Sequence, residues 1–165
     1  MTAAARSGRA VVTIPTDTQI KITREFAAPK HLVYKAWTTP ELVKRWWNAK
    51  RGEVTIAEID LRVGGKWRYV MVTKNGFEVG FHGVYREIVP NERLVCTEIY
   101  EGTPPGVPND GAVNTVTFMP SGHGTTLTLV VDAPSKEVRD MIIESGMESG
   151  LQDAFDLLEE VTRGL

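Results

Sequence analysis

Three histidines, one cysteine and a few mid-strand charges are the residues with which this chain could do acid–base, nucleophilic or metal chemistry. His31, His82 and His123 lie far apart in the chain, and no HExxH or comparable spacing links them, so no metal centre is expected. Cys96 stands alone in the apolar run LVCTEIY, without a partner for a disulfide or a CxxC site, and reads as a packed thiol. His82, in GFHGVY, is the histidine of interest, because a strand residue between Phe81 and Gly83 can point into an interior space or merely hydrogen-bond outward. Glu58 and Asp60 are two apart, which on a strand means one face and a separation of about 7 Å. That is near the spacing of a general acid and base pair, but a solvated strand face has the same pattern. Arg68 and Glu98 would need each other or a ligand if buried; the plainer reading is an exposed cross-strand pair. Gly64-Gly65 is followed by no helix and reads as a turn or bulge rather than a phosphate loop. No Ser/His/Asp or Cys/His arrangement can be assembled. No catalytic residue, metal ligand or cofactor is therefore assigned.

The aromatic residues carry a stronger signal. Trp46, Trp47, Trp67, Tyr69, Phe77, Phe81, Tyr85, Phe118 and Phe155 exceed what turns and caps require, and pockets for small apolar ligands are lined this way, with a few convergent polar groups. The pair Trp46-Trp47 is unusual, because adjacent helical residues point about 100° apart and one apolar face does not easily bury both. Trp46 falls mid-face and Trp47 at the edge, which suits a packed Trp46 and a Trp47 on a cavity rim. Strand alternation puts Trp67, Tyr69 and Met71 on one face and Arg68, Val70 and Val72 on the other. It does not say which face looks inward.

Elements with legible punctuation must position these side chains. The chain has 165 residues, 42% of them hydrophobic, enough for one domain with a core that needs no staples. Nineteen basic residues against 21 acidic ones give a formal charge of −2, scattered rather than gathered into a stripe, so nucleic acid is not an expected partner. No apolar run is long enough to span a bilayer, and the N-terminus lacks a signal-peptide apolar region, so a cytoplasmic protein without stable membrane insertion is expected. Residues 1 to 17 read as a flexible tail and 18 to 165 as the domain. QIKITREF alternates as a strand. Pro29 and Pro40 each open a short amphipathic helix, with Thr39 a cap candidate for the second. Six strand candidates follow Gly52, joined mostly by tight turns such as Lys74-Asn75-Gly76, which argues for an antiparallel meander. The connection EGTPPGVPNDGAV, 101 to 113, is long enough to be mobile and to cover something. From Pro134 the pattern is helical, with a break predicted near Glu144, where Ser145-Gly146-Met147-Glu148 reads as a capping box that restarts the helix, and with Gly150 leaving either close packing or open volume beside Met147 and Leu151. Strand, two helices, six strands and a long helix form an α+β arrangement, with the helix covering a curved sheet.

At this point the chain resembles the START-like (SRPBCC) superfamily, and within it the bacterial branch similar to the activator of the heat-shock-protein-90 ATPase. The resemblance rests on Arg24-Glu25-Phe26, Ala28-Pro29, Ala36-Trp37-Thr38, Pro40-Glu41-Leu42, Trp46-Trp47, Asp60-Leu61-Arg62, Gly64-Gly65-Lys66-Trp67-Arg68, Gly83-Val84-Tyr85-Arg86-Glu87-Ile88, Glu92-Arg93-Leu94, Thr115-Val116-Thr117-Phe118, Gly124-Thr125-Thr126-Leu127 and Gly150. It implies the helix-grip fold, with a cavity between sheet and C-terminal helix, but no particular reaction. Two positions depart from the family: Asn48-Ala49 replace a usual Gly-Pro, and Leu151 stands where relatives tend to carry Trp. The expected ligand site comprises Trp46, Trp47, Trp67, Tyr69, Phe81, His82, Tyr85, Glu98, Met147, Leu151 and Phe155. The implied function is binding of a small hydrophobic or amphipathic molecule by a monomer or homodimer. A chaperone-regulating protein–protein module and a cyclase-like or hydrolytic enzyme using a cavity His/acid pair are the alternatives.

Overall fold

Ile20, Ile22, Arg24 and Phe26 point to one side of the strand Gln19–Phe26 and all are buried, while Lys21 on the other side is exposed. The same period of two shows in β7 and β8, where buried and partly exposed residues alternate. The computed structural model describes residues 9–106 and 111–165. Its elements are β1 (Val11–Thr13), β2 (Gln19–Phe26), α1 (Lys30–Thr38), α2 (Pro40–Trp46), β3 (Gly52–Ile59), β4 (Lys66–Thr73), β5 (Glu78–Val89), β6 (Arg93–Tyr100), β7 (Ala112–Ser121), β8 (Gly124–Asp132), α3 (Lys136–Glu144) and α4 (Met147–Arg163). The strands form one sheet in the order β1-β2-β8-β7-β6-β5-β4-β3, with every neighbouring pair antiparallel. The meander of the last six strands is thus completed by β2, which pairs with β8 from Gln19↔Asp132 to Phe26↔Thr125. Irregularities in register between Val54 and Ile56 and between Tyr85 and Glu87 bend the sheet.

Helix α4 lies on the concave side. Ala154, Phe155, Leu158 and Val161 fall at helical spacing and are buried, giving α4 one continuous apolar face. Phe155 is fully enclosed, with Phe26 edge-on at 5.9 Å and Trp37 of α1 at 6.1 Å. Trp46 sits under α1, its ring 5.0 Å from Trp37 and its indole N–H donating to the Ala36 carbonyl at 3.0 Å. Pro40 opens α2 and Thr39 occupies the cap position, although its side chain makes no capping hydrogen bond.

The break before the last helix falls where expected, but by a different device. Ser145 spends its hydroxyl on the Ile142 carbonyl, and Gly146, at φ +85°, turns the chain into α4. Such a backbone angle suits glycine best, so the turn rather than a capping box separates the two helices. The N-terminal segment also differs from the expected flexible tail. Residues 1–8 lie outside the described residues, but Val11–Thr13 pairs with β2, and the Ala10 backbone exchanges two hydrogen bonds with the Gln152 amide at 2.9 and 2.8 Å. Three residues are too few to show a period in sequence. Their order comes from edge pairing, which no local pattern announces.

Candidate functional site

On β4, Trp67 and Tyr69 are 5% and 8% exposed on the concave side, and Arg68 stands on the convex side. This settles which face looks inward. Register carries the assignment to the neighbours: Tyr69 pairs with Phe81 and Ala57, and Trp67 with Gly83 and Ile59. Trp47, the last residue of the α2 turn, lies over this corner with its ring edge-on to Tyr69 at 5.4 Å and to Phe81 at 5.8 Å. Trp67 packs on Tyr69 at 4.9 Å and Phe81 on Tyr100 at 5.2 Å.

Polar groups converge on the same side. Burial, with each hydroxyl a smaller influence on the other, pushes Tyr69 and Tyr85 well above the ordinary phenol range. Cys96 pairs in register with Tyr85 on one side and Asn114 on the other. Burial, with Glu98 adding to it, pushes its thiol up to about 12, which makes it a poor nucleophile. Glu98 keeps partial exposure, yet burial raises its carboxyl above the ordinary range, with a hydrogen bond from Asn114 the smaller, opposing influence. That combination belongs to a side chain surrounded by protein but still bordering open space.

The first turns of α4 face this corner with little filling. Met147 and Leu151 are half-buried against the core, and a Cβ built on Gly150 meets nothing within 4 Å beyond its own helix. Of the two readings of Gly150, close backbone packing is therefore excluded. The loop after Trp47 is held to the same turns of α4. Ala49 and Lys50 take left-handed angles, φ 51° and 62°, and Arg51 donates to the Ala49 carbonyl, the Ser149 hydroxyl at 3.0 Å and Asp153 at 2.8 Å. The departure Asn48-Ala49 thus sits in a strained turn, whose Asn48 side chain accepts from the Lys50 N–H at 2.9 Å.

Of the expected site residues, ring contacts join Trp47, Trp67, Tyr69 and Phe81; Tyr85 and Glu98 stand on the same inner face of the neighbouring strands; and Met147 and Leu151 lie on the turns of α4 to which Arg51 is tied. Trp46 and Phe155 are enclosed instead, 4% and 0% exposed, with their rings 5.0 and 6.1 Å from Trp37. His82 is a correction. It follows Phe81 on a strand whose odd residues face inward as far as Tyr85, so it projects from the convex side, its side chain 44% exposed, with Nδ1 2.8 Å from Glu101. Arg68 grips the same Glu101 through two hydrogen bonds at 2.9 and 3.0 Å and holds its carboxyl down at about 2. Arg68 and Glu98, considered as a pair from sequence, lie on opposite faces. His31 and His123 are exposed, and Glu58 and Asp60 are exposed as well, Asp60 binding Arg62 at 2.8 Å. Among the described residues no group of three or more His, Cys, Asp or Glu side chains could hold a metal ion. Residues 107–110 of the proline- and glycine-rich connection, expected to cover something, lie outside the described residues. Asn114 was missed. Its signal was present in AVNTVTF, where it is the one polar residue on the inward register of Ala112, Val116 and Phe118.

A curved antiparallel sheet closed over a long C-terminal helix, with two short helices at one end, defines the helix-grip fold of the START-like (SRPBCC) superfamily. Within it the chain belongs to the Activator of Hsp90 ATPase homolog 1-like protein family, whose model matches residues 27–163. Solved structures agree. A Nitrosomonas europaea protein is 27% identical over 92% of this chain and 97% of its own, with a TM-score of 0.81. A Rhodobacter sphaeroides protein is 25% identical over 95% and 100%, with a TM-score of 0.86. A Chromobacterium violaceum protein is 26% identical over 89% and 98%, with a TM-score of 0.77. No curated protein matches significantly.

Proposed function

We propose that the protein binds one small hydrophobic or amphipathic molecule, of the lipid, polyketide or aromatic class, in a cavity between the inner face of β3 to β6 and the first turns of α4. The observation that carries this reading is the partial exposure of side chains that point inward. Trp47, Phe81, Glu98, Met147 and Leu151 all retain it, beside a glycine with open space in front of it. A lining of aromatic rings with few polar groups matches the make-up of small-molecule sites. With His82 on the convex face, the enzyme alternative loses its proposed cavity base. Naphthalene, a ring with no head group, tests the reading. It should raise the thermal midpoint in a concentration-dependent way, and Gly150→Leu, which fills the space, should remove that response without unfolding the chain. A naphthalene response equal in the parent protein and in Gly150→Leu, or none in either, would sink the proposal.

The family match supports a second reading, a module that regulates a chaperone ATPase through protein contacts. That reading requires a measurable effect of the purified protein on the ATPase rate of a chaperone. Such an effect surviving in Gly150→Leu would separate partner binding from the interior site.

A further inference from the structure

Asn114 is only 9% exposed, and its Oδ1 is buried without a hydrogen-bond partner. Glu98 is its diagonal neighbour on β6, since Cys96 pairs with Asn114 and Glu98 with Ala112, and an ionised Glu98 carboxylate offers Oδ1 no donor. Orphaned buried acceptors are rare in folded proteins, and each calls for a reason. The register neighbours of Asn114 are Cys96 and Val131, which offer at most a thiol. The charge of the surroundings narrows what can approach. Among the described residues Arg24 is the cation on the inner face, and its charge is answered by Asp156 at 3.3 Å and Glu159 at 3.6 Å, although its Nε and Nη1 are buried without a hydrogen-bond partner. Arg51, at the edge, is held by Asp153 and Ser149. An anionic head group arriving at Asn114 would find no free cation and would face the Glu98 carboxyl in a poorly solvated place.

We infer, on the reading that this interior binds a small molecule, that the ligand leads with an uncharged hydrogen-bond donor, a hydroxyl or N–H, placed on Asn114 Oδ1 beside Glu98, and that carboxylate-headed ligands are rejected. Asn114 and Glu98 thereby set specificity, while the aromatic corner supplies contact area that is indifferent to the head group.

Three probes on one ring separate these contributions: 2-naphthol carries a donor, 2-methoxynaphthalene only an acceptor, and 2-naphthoate a charge. Calorimetric titration near neutral pH should give 2-naphthol an affinity at least about ten-fold above that of 2-methoxynaphthalene, the size expected of one good buried hydrogen bond, with 2-naphthoate weakest. Asn114→Leu should bring 2-naphthol down to the level of 2-methoxynaphthalene and leave the latter within about two-fold. Equal binding of 2-naphthol and 2-methoxynaphthalene, or 2-naphthoate binding tightest, would overturn the donor rule while leaving the cavity reading intact. Failure of all three probes and of naphthalene would overturn both. Should Asn114→Leu fail to fold, the series on the parent protein decides alone.

Discussion

Arg24 and Glu98 are both inward-facing charged side chains on strands of one sheet, yet the interior treats them in opposite ways. At the end where Phe26, Phe118 and Phe155 close the core, Arg24 is 2% exposed; desolvation lowers its pKa, and Asp156 and Glu159 of α4 oppose that. Its guanidinium carbon also lies 4.8 Å from the centre of the Phe26 ring. At Glu98 no cation among the described residues forms an ion pair, and burial raises its carboxyl, with Asn114 the smaller, opposing influence. Arg24 has two opposite charges and close-packed rings around it, although its Nε and Nη1 make no hydrogen bond; what sets it apart from Glu98 is the answering charge. Glu98, beside the Asn114 side chain, stands where the proposed ligand would lie. The helix α4 spans both regimes, and its change from Gly150 and Leu151 to Phe155 and Leu158 marks the passage from one to the other.

The contrast can be broken first at its closed end. Phe155→Ala should cost about 3 to 5 kcal/mol in denaturant unfolding, because a fully enclosed ring leaves a cavity. Leu151→Ala, one turn earlier and half-buried, should cost less than about 1.5 kcal/mol. Equal losses would erase the distinction between the two ends. Next in size, Arg24→Met should cost about 3 kcal/mol by stranding Glu159, whose side chain is 7% exposed, and adding Glu159→Met should recover much of it.

The sequence carried more of this fold than of the site. Period-two patterns located β2 and β3 to β8, because alternation is a property of each strand alone. Which face of β4 looks inward is a property of the assembly, and His82 shows the consequence. Once Tyr69 is known to face inward, the pairings Tyr69↔Phe81 and Arg68↔His82 send the histidine outward. The strand β1 was invisible for the same kind of reason: three residues have no period, and their order depends on β2. Asn114 was legible as a polar residue on an apolar register, but its lack of a partner for Oδ1 is a fact of packing that no pattern states.

Two smaller effects sharpen the comparison through pH. Glu98 has its carboxyl raised in the folded state, so the folded chain holds the proton more tightly, and the penalty of ionising it is absent below the ordinary value of 4.5 and grows as pH rises through the raised one. Glu98→Gln should therefore gain stability over the parent on going from acid to neutral pH, by on the order of 1 kcal/mol, with the two curves meeting below 4.5. Glu101 runs the other way. Its carboxyl is held at about 2, so the stability from the Arg68 and His82 contacts is present above 4.5 and lost as pH falls toward 2. Glu101→Gln should cost well under 1 kcal/mol near neutral pH, as exposed ion pairs do, and the loss should vanish on acidification over that interval.

The central claim, that one end of the interior is kept open for a small molecule and the other is closed, is tested most directly by methyl NMR during a naphthalene titration. Met147 and Leu151 report on the proposed open end, and Leu127 and Leu158, both at 0% exposure, on the closed end. The account predicts saturable shifts for the Met147 and Leu151 methyls with Leu127 and Leu158 unmoved. Shifts confined to convex-face methyls such as Val84, shifts equal at both ends, or no saturable shift at all would contradict it.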